Sequence, residues 1–238
     1  MIHLSRKRTD AVPRRRGVIG HPLDIAEADV VDVNGVPVTS IARTWLDLAA
    51  MLPIEDLIVA GDQIVSEYIR SFGVPKIAMF SKADLERFIA SHGRCWGIQK
   101  ARLAIGRLRV GVDSPPETRV RLLLEDAGTP EFTVNHGVRD FTGAVAFWTD
   151  LACEAYRTCI EYDGEHHLTP EQQAKDMDRD AKAAELGWAQ VKLNRLDLRD
   201  GGSRAIAKVR KALIRQGWRP GSQELSYNSG DFRGAESA

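Results

Sequence analysis

The sequence has no excess of either charge: 33 Lys and Arg stand against 33 Asp and Glu over 238 residues, for a net charge of zero. No global field therefore draws the protein to nucleic acid or to an anionic membrane, and such binding has to come from local clusters. Cysteine is scarce. Cys95, Cys153 and Cys159 are odd in number and lack CxxC spacing, which argues against a disulfide framework and a conventional zinc module and fits a reducing compartment. A zinc site built from Cys153, Cys159 and nearby histidines is also disfavoured, because Cys159 would share a strand face with Glu161. Long apolar runs are missing too. No stretch approaches the roughly 18 residues of a transmembrane helix, and the N-terminal segment has no signal-peptide core. The expectation is a soluble cytoplasmic protein that does not bind membranes. What is present, 43% hydrophobic and 28% charged residues, leaves room for a sizeable core, and the length favours two small domains.

Residues 1–38 carry short β-prone pieces, Gly17–Gly20 and Asp29–Val33, with the hairpin dipeptide Asn34-Gly35, and predict a small antiparallel sheet. Thr39-Ser40 precedes Ile41, Trp45, Leu48 and Ala49 at helical spacing, and helical patterns continue after Pro53, after Ser81 and through Ala101–Leu108. Ser114-Pro115-Pro116-Glu117 then reads as a capping box with prolines inside the helix start. A domain boundary falls there, giving a small α+β domain over 1–110, a second domain over 111–218 and a disordered tail over 219–238. The second domain reads helix, three strands, helix, strand, helix. That order predicts an α/β sandwich with a mixed sheet.

Acidic residues gather at predicted strand ends: Asp150 on one strand, Glu161 and Asp163 on the next. Alternation puts Glu161 and Asp163 on one face and Ile160 and Tyr162 on the other. Converging carboxylates are unfavourable beside apolar neighbours unless a divalent cation neutralises them, and hard oxygen ligands suit Mg²⁺ or Mn²⁺. An ordinary solvated sheet edge is the simpler alternative. Asp163-Gly164-Glu165-His166-His167 brings two imidazoles beside the acids, able to donate to a phosphate or exchange a proton with a leaving oxygen. Asp176 and Arg179, three apart on a helix, form a facing pair in which Arg179 can hold the loop or a phosphate.

The pattern of Ser114-Pro115-Pro116-Glu117, Thr149-Asp150-Leu151, Ile160-Glu161-Tyr162-Asp163-Gly164-Glu165-His166-His167, Asp176-x-x-Arg179 and Gly187-Trp188-x-x-Val191-Lys192 resembles the Vsr-like endonuclease-domain family. That family belongs to the PD-(D/E)XK nuclease superfamily, and the likeness covers about residues 113–215. The resemblance implies a restriction-endonuclease-like fold and Mg²⁺-dependent (or Mn²⁺-dependent) hydrolysis of DNA phosphodiesters, in defence or repair. It implies Asp150 and Glu161 as metal-binding acids and Glu117 as a further acid, although a helix cap alone also explains Glu117. Asp163 stands where the superfamily often has lysine. Charge neutralisation then falls to His167, His166, Lys175 or Lys192. His167 would protonate the leaving oxygen or bond the phosphate, and Asp163 would orient a second water or metal.

Gly35–Ala49 resembles the region that follows the winged helix in the abortive-infection type IV antitoxin family, AbiEi, and the winged helix itself is expected to be absent. Two basic clusters, Arg6–Arg16 and Arg94–Arg121, are suited to a phosphate backbone or are simply solvated helix faces. The second contains Arg119 and Arg121, which join His166, Arg179, Lys175 and Lys192 as candidate DNA contacts. Two functions stand side by side: a metal-dependent endonuclease, and a catalytically silent DNA-binding or antitoxin-like regulator that keeps the nuclease fold.

Overall fold

The computed structural model describes residues 1–7, 9–68, 75–164 and 170–221, with the side chains of 170–175 also outside the description. The chain divides into two compact units, Met1–Val65 with Ala78–Leu108, and Ser66–Ile77 with Arg109–Ala238.

In the first unit β1 (Ile2–Arg6) pairs with β2 (Val18–Pro22), and β3 (Val30–Val33) pairs with β4 (Val36–Thr39). The second pair is the hairpin that Asn34-Gly35 predicts, with both turn residues at positive φ. The first pair corrects the expectation of one antiparallel sheet: β1 and β2 run parallel, and the two pairs are separate sheets. The chain between β1 and β2 is too long for a tight turn, so nothing local forces antiparallel pairing. Helices α1 (Ile41–Met51), α2 (Ile54–Val65), α3 (Lys82–Ser91) and α4 (Ile98–Gly106) follow. Ser40 caps α1 by accepting from the Arg43 N–H, and Ser81 caps α3 by accepting from the Asp84 N–H. Trp45, Leu57, Ile58, Leu85 and Leu108 are fully buried, and the Trp45 indole N–H donates to the Leu57 carbonyl at 3.0 Å.

The second unit holds α5 (Pro115–Asp126), β5 (Thr133–Arg139), β6 (Val145–Cys153), β7 (Thr158–Tyr162), α6 (Pro170–Glu185), β8 (Ala189–Leu193) and α7 (Ser203–Arg215). The strands form one mixed sheet in the order β5-β6-β7-β8, antiparallel except for the parallel β7–β8 pair that α6 connects. This is an α/β fold, and its element order is the one the sequence predicts. Ser66–Ile77, placed by the sequence in the first domain, groups with this unit. Its attachments are non-local: the Ser66 hydroxyl and the Lys76 ammonium both donate to the Val112 carbonyl, at 2.5 and 3.1 Å.

The sheet is covered on both faces. Against α5 and α7 lies a large apolar cluster including Val120, Leu124, Leu151, Ile160, Leu193, Val209 and Leu213. Gly202 permits close packing here, since a Cβ on it would lie 2.3 Å from a Leu123 methyl. The opposite face carries a smaller cluster of Val138, Phe147, Cys159 and Ala183, the last from α6.

Two strands change face partway along. Residues four apart on a strand normally share a face, yet Val134 and Leu151 pack with the large cluster while Val138 and Phe147 belong to the small one. The alternation slips at Asn135 on β5, whose φ is +51°, and at Asp150 opposite it on β6. Register is preserved, because Val134 still faces Leu151 and His136 still faces Thr149.

Candidate functional site

Three carboxylates meet around this slip. Glu117 comes from the first turn of α5, which Pro115 and Pro116 start. The Ser114 hydroxyl donates to Glu117 Oε1 at 2.7 Å, and the Asp113 N–H donates to Oε2 at 3.0 Å. The expected capping box is therefore corrected: Ser114 makes no side-chain cap, and Glu117 takes its backbone bond from Asp113 instead of from Ser114. Glu117 is only 7% exposed. Burial, and then the negative charge of Asp150, push its carboxyl up to about 7.

Asp150 sits where β6 and β7 part. Their ladder stops at Leu151 and Ile160, and side chains take over the next backbone groups. Thr149 Oγ1 donates to the Ile160 carbonyl at 3.0 Å, and the Tyr162 N–H donates to Asp150 Oδ2 at 2.7 Å. The splay frees the Asp150 carboxylate from a strand face and sets it near both glutamates.

Glu161 is the third. Its side chain is 12% exposed, Oε2 lies 3.3 Å from Arg179 Nη1, and Oε1 is buried without a hydrogen-bond partner. Burial and then Asp150 push its carboxyl up to about 7, against the pull of Arg179, Thr149 and Lys192. Arg179 also donates to Asp176 at 2.8 Å, so one guanidinium joins α6 to the acid on β7. Lys192 stands opposite Glu161 in the parallel ladder, with its ammonium on Asp180 Oδ2 at 2.6 Å.

The remaining sequence candidates fall in several places. Asp163 is exposed just beyond β7 rather than on it, and its N–H extends the ladder to the Leu193 carbonyl at 2.7 Å. His166 and His167 lie outside the described residues, as does the side chain of Lys175. Arg119 is exposed on α5. Arg121 is corrected: it is 1% exposed, with Nη1 on Glu125 at 2.6 Å, so it belongs to the interior and is unavailable to DNA. Cys153 and Cys159 belong to different clusters on opposite faces, which separates the two thiols. In the sequence Thr149 stands only within the Thr149-Asp150-Leu151 pattern, with no role, and Asn135 is not singled out; an asparagine inside an alternating apolar run, tolerant of positive φ, is the signal that marks the slip.

Among the described residues no group of three or more His, Cys, Asp or Glu side chains is arranged to hold a metal ion. The charge of Asp150 raises the proton affinity of both glutamates, while Arg179 and Lys192 pull Glu161 the other way. By type the donor set fits a hard divalent cation: three buried or half-buried carboxylates, two of them holding protons to about pH 7, and one orphaned oxygen. Among the described residues no helix is long and apolar enough to cross a membrane. Compared with protein-family models, curated proteins and solved structures, the chain has no match in any of the three.

Proposed function

We propose that the second unit is a metal-dependent endonuclease of the Vsr-like, PD-(D/E)XK type, which hydrolyses DNA phosphodiester bonds using Mg²⁺ or Mn²⁺. The observation that carries this reading is the buried, unpartnered Oε1 of Glu161 at the mouth of splayed strands, with the charge of Asp150 acting on both Glu161 and Glu117. Burying three acids together is costly unless positive charge neutralises them. A function that brings in a cation accounts for that cost. The helix, three-strand, helix, strand order around a mixed sheet agrees with the reading.

Asp150 and Glu161 would hold the ion, with Glu117 as a further acid. When bound, the ion would acidify a water and polarise a phosphoryl oxygen. The chain's own groups do the positioning. The Tyr162 N–H fixes one oxygen of Asp150, and Asp113 and Ser114 fix Glu117. Arg179 orients Glu161 and neutralises it while it waits. His167 or His166 would bond the phosphate or protonate the leaving oxygen, and Asp163 would orient water at the exposed rim.

The regulator reading draws on one observation, the occupation of Glu161 by Arg179 in place of a three-ligand site. Purified protein incubated with supercoiled plasmid and single-stranded DNA, in Mg²⁺, Mn²⁺ or EDTA, decides between them. Metal-dependent nicking that Asp150→Ala and Glu161→Ala each reduce at least about 100-fold is expected. Salt-sensitive DNA binding with no cleavage, unchanged by Glu161→Ala, would replace the enzyme by the silent regulator.

A further inference from the structure

The first unit carries a surface feature that the carboxylate site does not use. Trp96 is 85% exposed, whereas Trp45 in the same unit is fully buried. An indole held in water gives up the burial that normally stabilises such a large ring. Its position is built. Gly97, the next residue, has φ +85°, and a Cβ there would lie 2.7 Å from the Ala50 nitrogen and 2.8 Å from the Ala49 carbonyl carbon. That backbone-to-backbone approach pins the loop to α1 and leaves Trp96 projecting from it.

The local sequence carries charge of one sign. From Arg94 to Leu108 the chain has four cations, Arg94, Lys100, Arg102 and Arg107, and no acid. Arg94 is exposed two residues before the indole, and Arg102 is exposed on α4. Arg102 Nη2 donates to the His92 carbonyl at 3.2 Å, which ties the outward face of α4 to the segment leading into Trp96. Asp47, whose charge reaches Cys95, is engaged by Arg43 Nε at 3.0 Å. An exposed flat ring with the exposed cations Arg94 and Arg102 on the same stretch of chain matches a polyanion that also presents flat apolar faces. Single-stranded DNA does both: its bases stack on aromatics and its phosphates take arginine. A duplex hides its base faces, and an acidic peptide has none.

We propose that Trp96 is a stacking platform for an unpaired base of single-stranded DNA, with Arg94 and Arg102 holding the flanking phosphates. This deepens the endonuclease reading by naming the form of DNA, and rests on it only for the choice of polymer.

The test is fluorescence anisotropy of a labelled oligothymidylate and of a labelled duplex with the full-length protein in EDTA. Trp96→Ala is expected to weaken single-strand binding at least about 10-fold while duplex affinity changes less than about 3-fold, and Trp96→Phe to retain most of the binding. Arg94→Ala and Arg102→Ala should each flatten the dependence of log K on log salt by about 0.7. Melting curves establish that the variants are folded; the exposed ring makes Trp96→Phe a safe second probe. Unchanged single-strand binding in Trp96→Ala, or an equal loss for duplex, overturns the proposal. So does displacement of the oligonucleotide by a polyglutamate peptide whose own binding needs Trp96, which would assign the surface to acidic protein. Cleavage is scored separately. Trp96-dependent binding in a wild-type protein that cuts nothing upholds this platform while defeating the endonuclease reading.

Discussion

The two faces of the four-stranded sheet are built to different ends. Against α5 and α7 lies a large apolar cluster that includes the fully buried Leu151, Ile160, Leu193 and Leu213, with Glu117, Thr118 and Arg121 buried on α5 beside it. Under α6 the buried cluster shrinks to Val138, Phe147, Cys159 and Ala183. Next to it the buried atoms Glu161 Oε1, Arg179 Nε, Asp180 Oδ1 and Gln190 Nε2 have no hydrogen-bond partner. Each such atom loses hydration without replacement, a cost of about 1–3 kcal/mol. One face supplies the stability from which the other draws.

The contrast can be tested by measurements that run from large effects to small. Leu213→Ala on the apolar face should lower stability by about 2–5 kcal/mol in urea melts, and Cys159→Ala on the α6 face by about 1 kcal/mol. Equal losses would break the contrast. A second measurement turns on pH. Glu117 and Glu161 titrate near 7 in the fold against an ordinary value of 4.5, so the folded protein holds their protons where the unfolded chain has released them. Their contribution is complete below about pH 4.5 and is lost as pH rises through about 7. Stability should therefore fall between pH 5 and 8, and Glu117→Gln should recover about 1–3 kcal/mol at pH 8 and little at pH 5. A gain of the same size at both pH values would show that charge is not the cause. Third, Mg²⁺ at ten times its dissociation constant should stabilise the wild type at pH 8 by about 1.4 kcal/mol, and Asp150→Asn much less. Equal stabilisation would remove the ion from this site. Smallest is the exposed Lys192–Asp180 pair: Lys192→Met should cost less than about 1 kcal/mol, with the loss shrinking further in salt.

What was legible in the sequence follows from periodicity. Alternation placed Ile160 and Glu161 on opposite faces, and the structure has Ile160 in the large cluster and Glu161 with Arg179 under α6. Capping chemistry marked the starts of α1 and α3, and the two prolines that of α5, since those signals are local. The slip at Asn135 and Asp150 was not legible, because strict alternation is the very assumption that it breaks. Without the slip Asp150 reads as an ordinary strand-end acid, and its coupling to both Glu117 and Glu161 cannot be derived. Arg121 was read as surface charge because its burial depends on tertiary packing around α5. Ser66–Ile77 was assigned by neighbourhood in sequence, whereas its bonds reach Val112, far along the chain.

The bond from the Tyr162 amide to Asp150 has a spectroscopic consequence. In a regular ladder an amide proton reports only its neighbouring peptide; here it points at a side-chain carboxylate whose charge acts on two glutamates. Its ¹⁵N–¹H resonance is therefore a built-in voltmeter for that cluster, moving when a proton or a cation changes the charge on Asp150, with no need to add DNA or wait for turnover.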